Sequence, residues 1–280
     1  MRRHTDHQVR KRLRATVGCF ALTASVCSGC GGGGGSSTTS PSPTPPSGVS
    51  ACNVIGGTTG ALTAIVSGTT CSPANSSVVL VNMRDNLGPT GSCSGTVIAP
   101  RAVLTAAHCL VGGTTAVRIF VGTGTEVPAD SFRAHPLYRE GDSSSLDDVG
   151  VVITTEDLPR TPIRLLLSRD ARIGEQAVIA GWGTDQNGNG TILRAGTTTI
   201  TGVSNSGLQT QQNSTNSGVC SGDSGGPLLL SEGGVWAIAG VTSATTTGGS
   251  CFANTNFFAN LRSPDVMSFI LGAVPNAIRQ

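Results

Sequence analysis

The sequence is poor in charged and aromatic residues and lacks long helical periodicities. Only 12% of its 280 residues are charged and 4% are aromatic. The scarcity of apolar repeats at helical spacing excludes a predominantly helical fold. Instead, short runs rich in Val, Ile and Thr recur between clusters of Gly, Asn and Ser, at 77–83, 116–122, 176–180, 197–203 and 235–241. This pattern is typical of an all-β protein built from barrels.

Positive charge is sparse outside the N-terminus. The formal net charge is +2, but six basic residues lie within the first 14 positions. Without residues 1–29 the chain has twelve basic and fifteen acidic residues, a formal charge of −3. A nucleic-acid-binding role requires concentrated positive charge and therefore has no support here.

No apolar run of the N-terminal region is long enough to span a bilayer. The basic start and the short apolar stretch at 15–26 are typical of an export signal, which we place at 1–29. Gly29 and Cys30, followed by five glycines, resemble the processing site of bacterial lipoproteins. We therefore expect a lipid on Cys30 and anchoring in a bacterial cell envelope. The alternative is an ordinary secretory signal with an incidental cysteine.

The next segment, 30–50, consists of Gly, Ser, Thr and Pro with almost no apolar residue. Such a composition cannot form a core and predicts a tether. The rest of the chain has enough apolar residues to bury a substantial core, and we expect one enzyme-sized unit of two barrels there.

Histidine is also scarce, which limits the candidates for a catalytic base to His4, His7, His108 and His135. The first two lie in the basic N-terminal tail, and His135 lies in a turn where we expect a structural role. His108 follows an apolar run that indicates a buried strand ending in small residues. Because histidine gains and loses a proton near neutral pH, His108 is the candidate base.

The most informative segment is CSGDSGGP at 220–227. A serine hydroxyl is a poor nucleophile unless a base takes its proton and donors stabilise the charge on the attacked carbonyl oxygen. The glycines permit backbone conformations in which the N–H groups of Gly222 and Ser224 point at one oxyanion. Ser224 is therefore the candidate nucleophile, and Asp223 is placed to lock the loop.

A third residue must hold the imidazole in the correct tautomer, and a buried aspartate before a strand suits this role. Asp148 precedes the apolar run 149–153. Strand alternation would direct its neighbour Asp147 to the opposite face. Asp142 and Asp147 remain the alternative acids.

The order His108, Asp148, Ser224 and the segments around these residues resemble the trypsin/chymotrypsin family of serine endopeptidases. Further similar segments lie in order along residues 65–270: IVSG at 65–68, HPLY at 135–138, AGWG at 180–183 and GVTS at 240–243. The resemblance implies two antiparallel Greek-key β-barrels, at roughly 65–165 and 166–262, with the active site in the cleft between them. It implies hydrolysis of protein or peptide substrates through an acyl-enzyme, with no cofactor and no metal.

One short helix is expected at the C-terminal end. Ser263 would cap it, Pro264 would occupy the first turn, and Val266, Phe269 and Ile270 would form an apolar face. We expect this helix to pack on the second barrel.

Six cysteines follow Cys30, and an even number in an exported protein indicates disulfides. The resemblance implies the pairs Cys93–Cys109 and Cys220–Cys251. In trypsin-like relatives the cysteine that matches Cys71 bonds to the second barrel, but the matching segment 193–196 has no cysteine. We therefore expect a bond to Cys52, as in relatives that keep their propeptide attached.

The resemblance also implies activation by cleavage. In the family, a cut before the residue that matches Ile65 frees an amino group that pairs with the aspartate that matches Asp223. We therefore expect a propeptide at 51–64 and a protease domain at 65–280, with an activating protease that cuts the chain between them. The alternative is that the segment at Ile65 is only an edge strand.

The expected specificity follows from the pocket floor, where trypsin-like enzymes carry an aspartate and this chain has Gly218. Ser243 would line the cleft, and Thr245 and Asn256 would form the walls. We predict small or medium uncharged residues before the cut bond. Ala244 differs from the tryptophan that is usual in relatives, which affects the extended substrate site.

Two alternative functions are consistent with the same sequence segments. Some relatives are catalytically idle binding or adhesion modules, but these usually lack one of the three catalytic residues, and none is missing here. An esterase would use the same three side chains. For either hydrolase, activity should fall as pH drops through the range in which histidines gain a proton.

Overall fold

The computed structural model describes residues 50–62, 65–124, 126–139, 147–185, 187–246 and 251–280, with only the backbone of 59–62. Several predictions lie outside these residues: the export signal, most of the tether, lipidation of Cys30, the cut after Ala64, and the role of Asp142. Within the described ranges no helix is long and apolar enough to cross a membrane.

The elements, in chain order, are α1 (Ala51–Val54), β1 (Thr58–Leu62), β2 (Thr69–Ser72), β3 (Val78–Arg84), β4 (Pro89–Ala99), β5 (Ala102–Thr105), β6 (Ala116–Phe120), β7 (Val127–Ala134), β8 (Gly150–Thr154), β9 (Arg164–Leu165), β10 (Gln176–Gly181), β11 (Arg194–Val203), β12 (Gly207–Gln211), β13 (Pro227–Glu232), β14 (Val235–Thr245), β15 (Thr255–Asn260) and α2 (Pro264–Ala273). A single 3-10 turn, Ala107–Cys109, follows β5.

The first barrel is closed, with the strand order β3-β4-β5-β8-β7-β6. Its strands show the burial expected of β-branched runs, since β5 is buried throughout and β6 alternates between exposed and buried residues. The interior is filled mainly by small aliphatic side chains such as Val79, Val81, Val97 and Val103, each fully buried.

The second barrel contains β11-β10-β13-β14-β15-β12 and is closed by the pairing of β12 with β11. Two strands of the N-terminal segment extend it, because β2 pairs with β11 and β1 pairs with β2. β9 adds a short parallel pairing to β14. Two six-stranded antiparallel barrels with a short C-terminal helix confirm the predicted fold class.

The C-terminal helix does not pack where we expected it. Helix α2 contacts β8 of the first barrel, and the ring of Phe269 meets the edge of His135 with 4.9 Å between centroids. Val266 and Ile270 are fully buried. The prediction of packing on the second barrel is wrong. An apolar stripe shows that one face of a helix is buried, but it does not show which surface covers that face. Ser263 is the N-cap residue, but its side chain makes no capping hydrogen bond.

Three disulfides join Cys52 to Cys71, Cys93 to Cys109, and Cys220 to Cys251. The first attaches α1 to β2, and Ile55 next to α1 is fully buried. The segment from residue 50 to 62 is therefore an integral part of the second barrel's surface. Closing loops of this size contributes about 3 kcal/mol each in the chain-entropy description.

Candidate active site

His108 and Asp148 meet because their strands are neighbours in the first barrel. The register pairs Thr105, at the end of β5, with Gly150, at the start of β8. Nδ1 of His108 lies 2.8 Å from Oδ2 of Asp148, and the backbone N–H of His108 donates to Oδ1 at 2.9 Å. One oxygen of Asp148 thus holds the imidazole and the other holds the backbone of His108, whose side chain remains about one third exposed.

Asp148 is nearly inaccessible to water and has a third partner. Its side chain is 5% exposed, and Ser243 Oγ donates to Oδ2 at 2.6 Å. Burial acts to raise the pKa of Asp148, but the hydrogen bond and charge of His108, with the bond from Ser243, outweigh it and lower the pKa below its ordinary value. Ser243 was expected only to line the cleft, and no local motif gives a signal for this contact with Asp148.

Asp147 points away from His108, but not through strand alternation. β8 begins only at Gly150, and the change of direction comes from a left-handed backbone at Asp147, with φ of 57°. Its Oδ1 lies 3.6 Å from Nδ1 of His135, which is buried. His135 therefore belongs to the packing between β7 and α2.

The Ser224 loop lies directly against the strand end that carries His108. The N–H of Ser94 donates to the carbonyl of Ser224 at 2.8 Å. Gly225 has φ of +82°, and a Cβ there would lie 2.8 Å from the backbone N of Ala106 and closer still to Thr105 Oγ1. Only glycine fits this approach. The hydrogen bond from Ser224 Oγ to His108 is not formed among the described residues, and such bonds often tighten only with substrate.

The backbone at Gly222 and Ser224 forms a pocket of unpaired donors. Gly222 has φ of +92°, and within the described ranges neither its N–H nor that of Ser224 donates a hydrogen bond. The carbonyl of Gly222 is turned away and accepts from Ser94 Oγ at 2.8 Å. The same hydroxyl accepts from the N–H of Trp182. Ser94 thereby fixes the peptide orientation, a role that its place after Cys93 did not reveal.

Asp223 is buried behind this loop. It is 1% exposed, and its two oxygens accept from the N–H groups of Gly183 and Cys220, at 2.8 and 2.9 Å. Burial raises the pKa of Asp223 to about 6, although the two backbone hydrogen bonds and the charge of Arg194 act to lower it. The Ser224 loop is thus anchored by the buried carboxyl group of Asp223, which has almost no contact with solvent.

The residues predicted for the substrate pocket come together. Thr245 and Asn256 are paired across β14 and β15, and a Cβ on Gly218 would lie 3.5 Å from Asn256 Oδ1. Asn256 is fully buried, accepting from the N–H of Val219 and donating to Thr210. Gln212 was not among the predicted pocket residues, yet its Cγ would lie 2.5 Å from that same Cβ. Its side chain lies against the floor.

Ile65 is buried, and Val66 forms an antiparallel bridge with Gly218. The N–H of Gly218 donates to the carbonyl of Val66 at 3.2 Å. Ser67 has φ of 64°, which turns the chain toward β2. The segment that begins at Ile65 therefore lies buried against Gly218, the predicted floor of the substrate pocket.

A group of potential metal ligands is formed by His108 with Cys93 and Cys109. Both sulfur atoms belong to one disulfide, so neither is a thiolate that could bind a metal. The residues of the site offer an oriented imidazole, the hydroxyl of Ser224 and two unpaired amides. This set can accept a proton, attack a carbonyl and stabilise an oxyanion.

Comparisons with known proteins identify the family of the chain. The family model described as Trypsin matches residues 65–263. The serine protease SP24D of Anopheles gambiae is 32% identical over 161 residues, which are 50% of this chain and 59% of that protein. A trypsin of Saccharopolyspora erythraea is 30% identical over 185 residues, covering 54% of this chain and 74% of that protein. The match thus spans less than two thirds of SP24D.

Among solved structures, HL collagenase aligns with a TM-score of 0.65 over 75% of this chain and 99% of that chain, at 21% sequence identity. At this identity the similarity bears on the fold alone, and it supports the two-barrel architecture.

Proposed function

The chain belongs to the trypsin family of serine-type endopeptidases, and we propose that it is an exported member whose catalytic triad is His108, Asp148 and Ser224. The observation that carries the assignment is the bidentate hold of Asp148 on His108 beside a loop with two unpaired amides. Disulfide bonds form and persist outside the reducing cytosol, so the three disulfides support export.

In the proposed reaction, neutral His108 takes the proton of Ser224 Oγ as this oxygen attacks the carbonyl carbon of the scissile peptide. Asp148 keeps the Nδ1 proton of His108 in place and stabilises the imidazolium. The N–H groups of Gly222 and Ser224 donate to the developing oxyanion. Each such donor is worth about 10²- to 10³-fold in rate.

The tetrahedral intermediate collapses when His108 gives its proton to the leaving amine, and the acyl group stays on Ser224. Water then attacks the acyl-enzyme while His108 accepts a proton from it. The second tetrahedral intermediate collapses as His108 gives this proton to Ser224 Oγ, which restores the hydroxyl and releases the acid product. These steps require no cofactor and no metal.

We propose a preference for small or medium uncharged side chains before the cut bond. Gly218 brings no charge to the floor, and Gln212 occupies space beside it. Asn256 contributes an amide whose oxygen and nitrogen already have partners. A lysine or arginine side chain would find no counter-charge there, and burying an unpaired charge is costly.

We propose that cleavage before Ile65 matures the enzyme, since Ile65 is buried and its neighbour pairs with Gly218. The segment 51–64 would remain attached after the cut through Cys52 and Cys71. With the lipid proposed on Cys30, the cut enzyme would stay anchored to the cell envelope, and without that lipid it would be secreted with its propeptide.

The test is covalent labelling with a fluorophosphonate probe, which reacts with an activated serine. We expect stoichiometric labelling of the wild type, none in Ser224→Ala, and full labelling in the matched control Ser221→Ala. A folded wild type that has been cut before Ile65 and still resists the probe would instead indicate the idle binding module. Panels of peptide and ester substrates then separate a peptidase from an esterase.

A further inference from the structure

Arg194 is a buried cation close to the loop that carries the oxyanion donors. Its side chain is 3% exposed, at the first position of β11. Nη1 donates to the carbonyl of Gly183 at 2.7 Å, and Nη2 donates to Asp185 Oδ2 at 3.3 Å. A guanidinium in such a place is costly unless anions and acceptors surround it.

The partners of Arg194 do not satisfy it completely. Its Nε has no acceptor within the described part of the chain. The carboxylate of Asp185 is shared, because it also accepts from the N–H of Asn187, the N–H of Asn189 and the side-chain amide of Asn189. The positive charge of Arg194 is therefore only partly balanced by Asp185.

The second anion near Arg194 is Asp223, and Gly183 lies between the two side chains and bonds to both. Gly183 accepts from Arg194 through its carbonyl and donates to Asp223 Oδ1 through its N–H. Hydrogen bonds arranged in such a chain polarise one another in a low dielectric. Among the described side chains no cation contacts Asp223 directly, and Arg194 is the one whose charge lowers its pKa.

This arrangement occurs in the full-length chain, before any cut at Ile65. The backbone at Gly222 is nevertheless turned so that the two oxyanion donors are unpaired, and Asp223 already holds the loop through Gly183 and Cys220. A buried carboxylate that anchors an uncut loop needs positive charge nearby, and Arg194 supplies it.

We propose that Arg194 is an internal counter-ion of Asp223 that lets the uncut chain keep a formed oxyanion hole, and hence a basal activity before cleavage at Ile65. Arg194 is a positioning residue in this scheme, because it acts through Gly183 and Asp223 and does not touch the substrate. The inference rests on the proposed peptidase function. Cleavage then adds a second cation, the amino group of Ile65, to a site that already has one.

The retained propeptide helps to hold Arg194 in position. Arg194 is paired with Thr70 of β2, and the adjacent Cys71 is bonded to Cys52 of α1. The segment before the cut therefore holds the strand from which Arg194 projects, both before and after cleavage.

The experiment uses the full chain with residues 61–64 replaced by Ile-Glu-Gly-Arg, so that factor Xa can cut before Ile65. The rate of fluorophosphonate labelling is measured on the uncut and cut forms, with N-terminal sequencing of each. We expect the uncut chain to react, and the uncut Arg194→Gln variant to react at least about tenfold more slowly. Arg194→Lys, which keeps the charge, should recover most of the rate.

Two comparisons separate this role from general stabilisation. Cutting should restore Arg194→Gln to the rate of the cut parent chain, because the amino group of Ile65 then serves Asp223. The matched control Arg164→Gln makes the same replacement at an exposed arginine of β9 and should leave the uncut rate unchanged.

The inference is overturned if the uncut parent chain is inert while its cut form reacts, or if uncut Arg194→Gln reacts like the parent. It is also overturned if Arg194→Gln, folded by circular dichroism, stays slow after the cut. A cut parent chain that does not react would refute the peptidase function itself, and the inference with it.

Discussion

Ser243 reaches Asp148 from the other barrel, with 2.6 Å between its Oγ and the Oδ2 of Asp148. Ser243 belongs to β14, whereas Asp148 precedes β8, so this hydrogen bond joins the second barrel to the first. It is one of the contacts that lower the pKa of Asp148. The orientation of the imidazole therefore depends on how the two barrels meet, as well as on the first barrel alone.

Replacing Ser243 tests this dependence. Ser243→Ala removes one donor from a buried carboxylate, and hydrogen bonds to charged groups contribute about 1.5 to 3 kcal/mol. We expect kcat to fall by about tenfold with little change in KM. The matched control is Ser214→Ala, at an exposed serine of the same barrel, which should leave kcat unchanged. An unaltered kcat in Ser243→Ala would show that Asp148 needs no help from the second barrel.

Asp148 and its neighbour Asp147 form a natural pair of variants. Asp148→Asn keeps the shape but stabilises the wrong tautomer of His108, and we expect kcat to fall by about 10⁴-fold. Asp147→Asn alters only the contact with His135 at 3.6 Å and should change kcat little. Steady-state kinetics on one peptide substrate compares the two. Equal losses in both variants would mean that the wrong aspartate has been assigned.

The close approach at Gly225 predicts a stability effect with an internal control. Gly225→Ala places a methyl group against Ala106 and Thr105 at a backbone φ of +82°. We expect a loss of more than about 2 kcal/mol in the free energy of unfolding. Gly272→Ala in helix α2, where a Cβ meets nothing within 4 Å, should instead stabilise the protein by up to about 1 kcal/mol. Denaturant unfolding measures both changes, and opposite signs are required.

The burial of Asp223 predicts a dependence of stability on pH. Burial raises the pKa of Asp223 from its ordinary value of 3.8 to about 6, so as pH falls the folded protein takes up this proton before the unfolded chain does. The stability contributed by this group is complete below about pH 4 and is lost as pH rises through about 6. Asp223→Asn removes this titration. The melting temperature of the wild type relative to Asp223→Asn should therefore fall between about pH 4 and about pH 7, and a constant difference would contradict the prediction.

Much of the site could be predicted because its residues lie in segments with strong local constraints. Ser224 lies in a glycine-rich turn that is required for its chemistry, and His108 and Asp148 flank strands that the apolar runs revealed. The fold followed in the same way from the alternation of short β-branched runs and turn residues.

The residues that could not be predicted act through tertiary contacts. Ser94, Gln212 and Arg194 have ordinary local sequences, and their roles appear only when β4, β11 and the segment after β12 meet the Ser224 loop. The apolar face of α2 was correctly identified, yet its partner was wrong because several surfaces could have covered it.

The most direct test of the central claim is whether His108 and Ser224 act as one unit. The measurement is kcat for His108→Ala, Ser224→Ala and the double variant on one peptide substrate. If the imidazole serves only to activate the hydroxyl, the double variant should be no slower than the slower single variant. Losses that multiply in the double variant would show two independent contributions and contradict the triad.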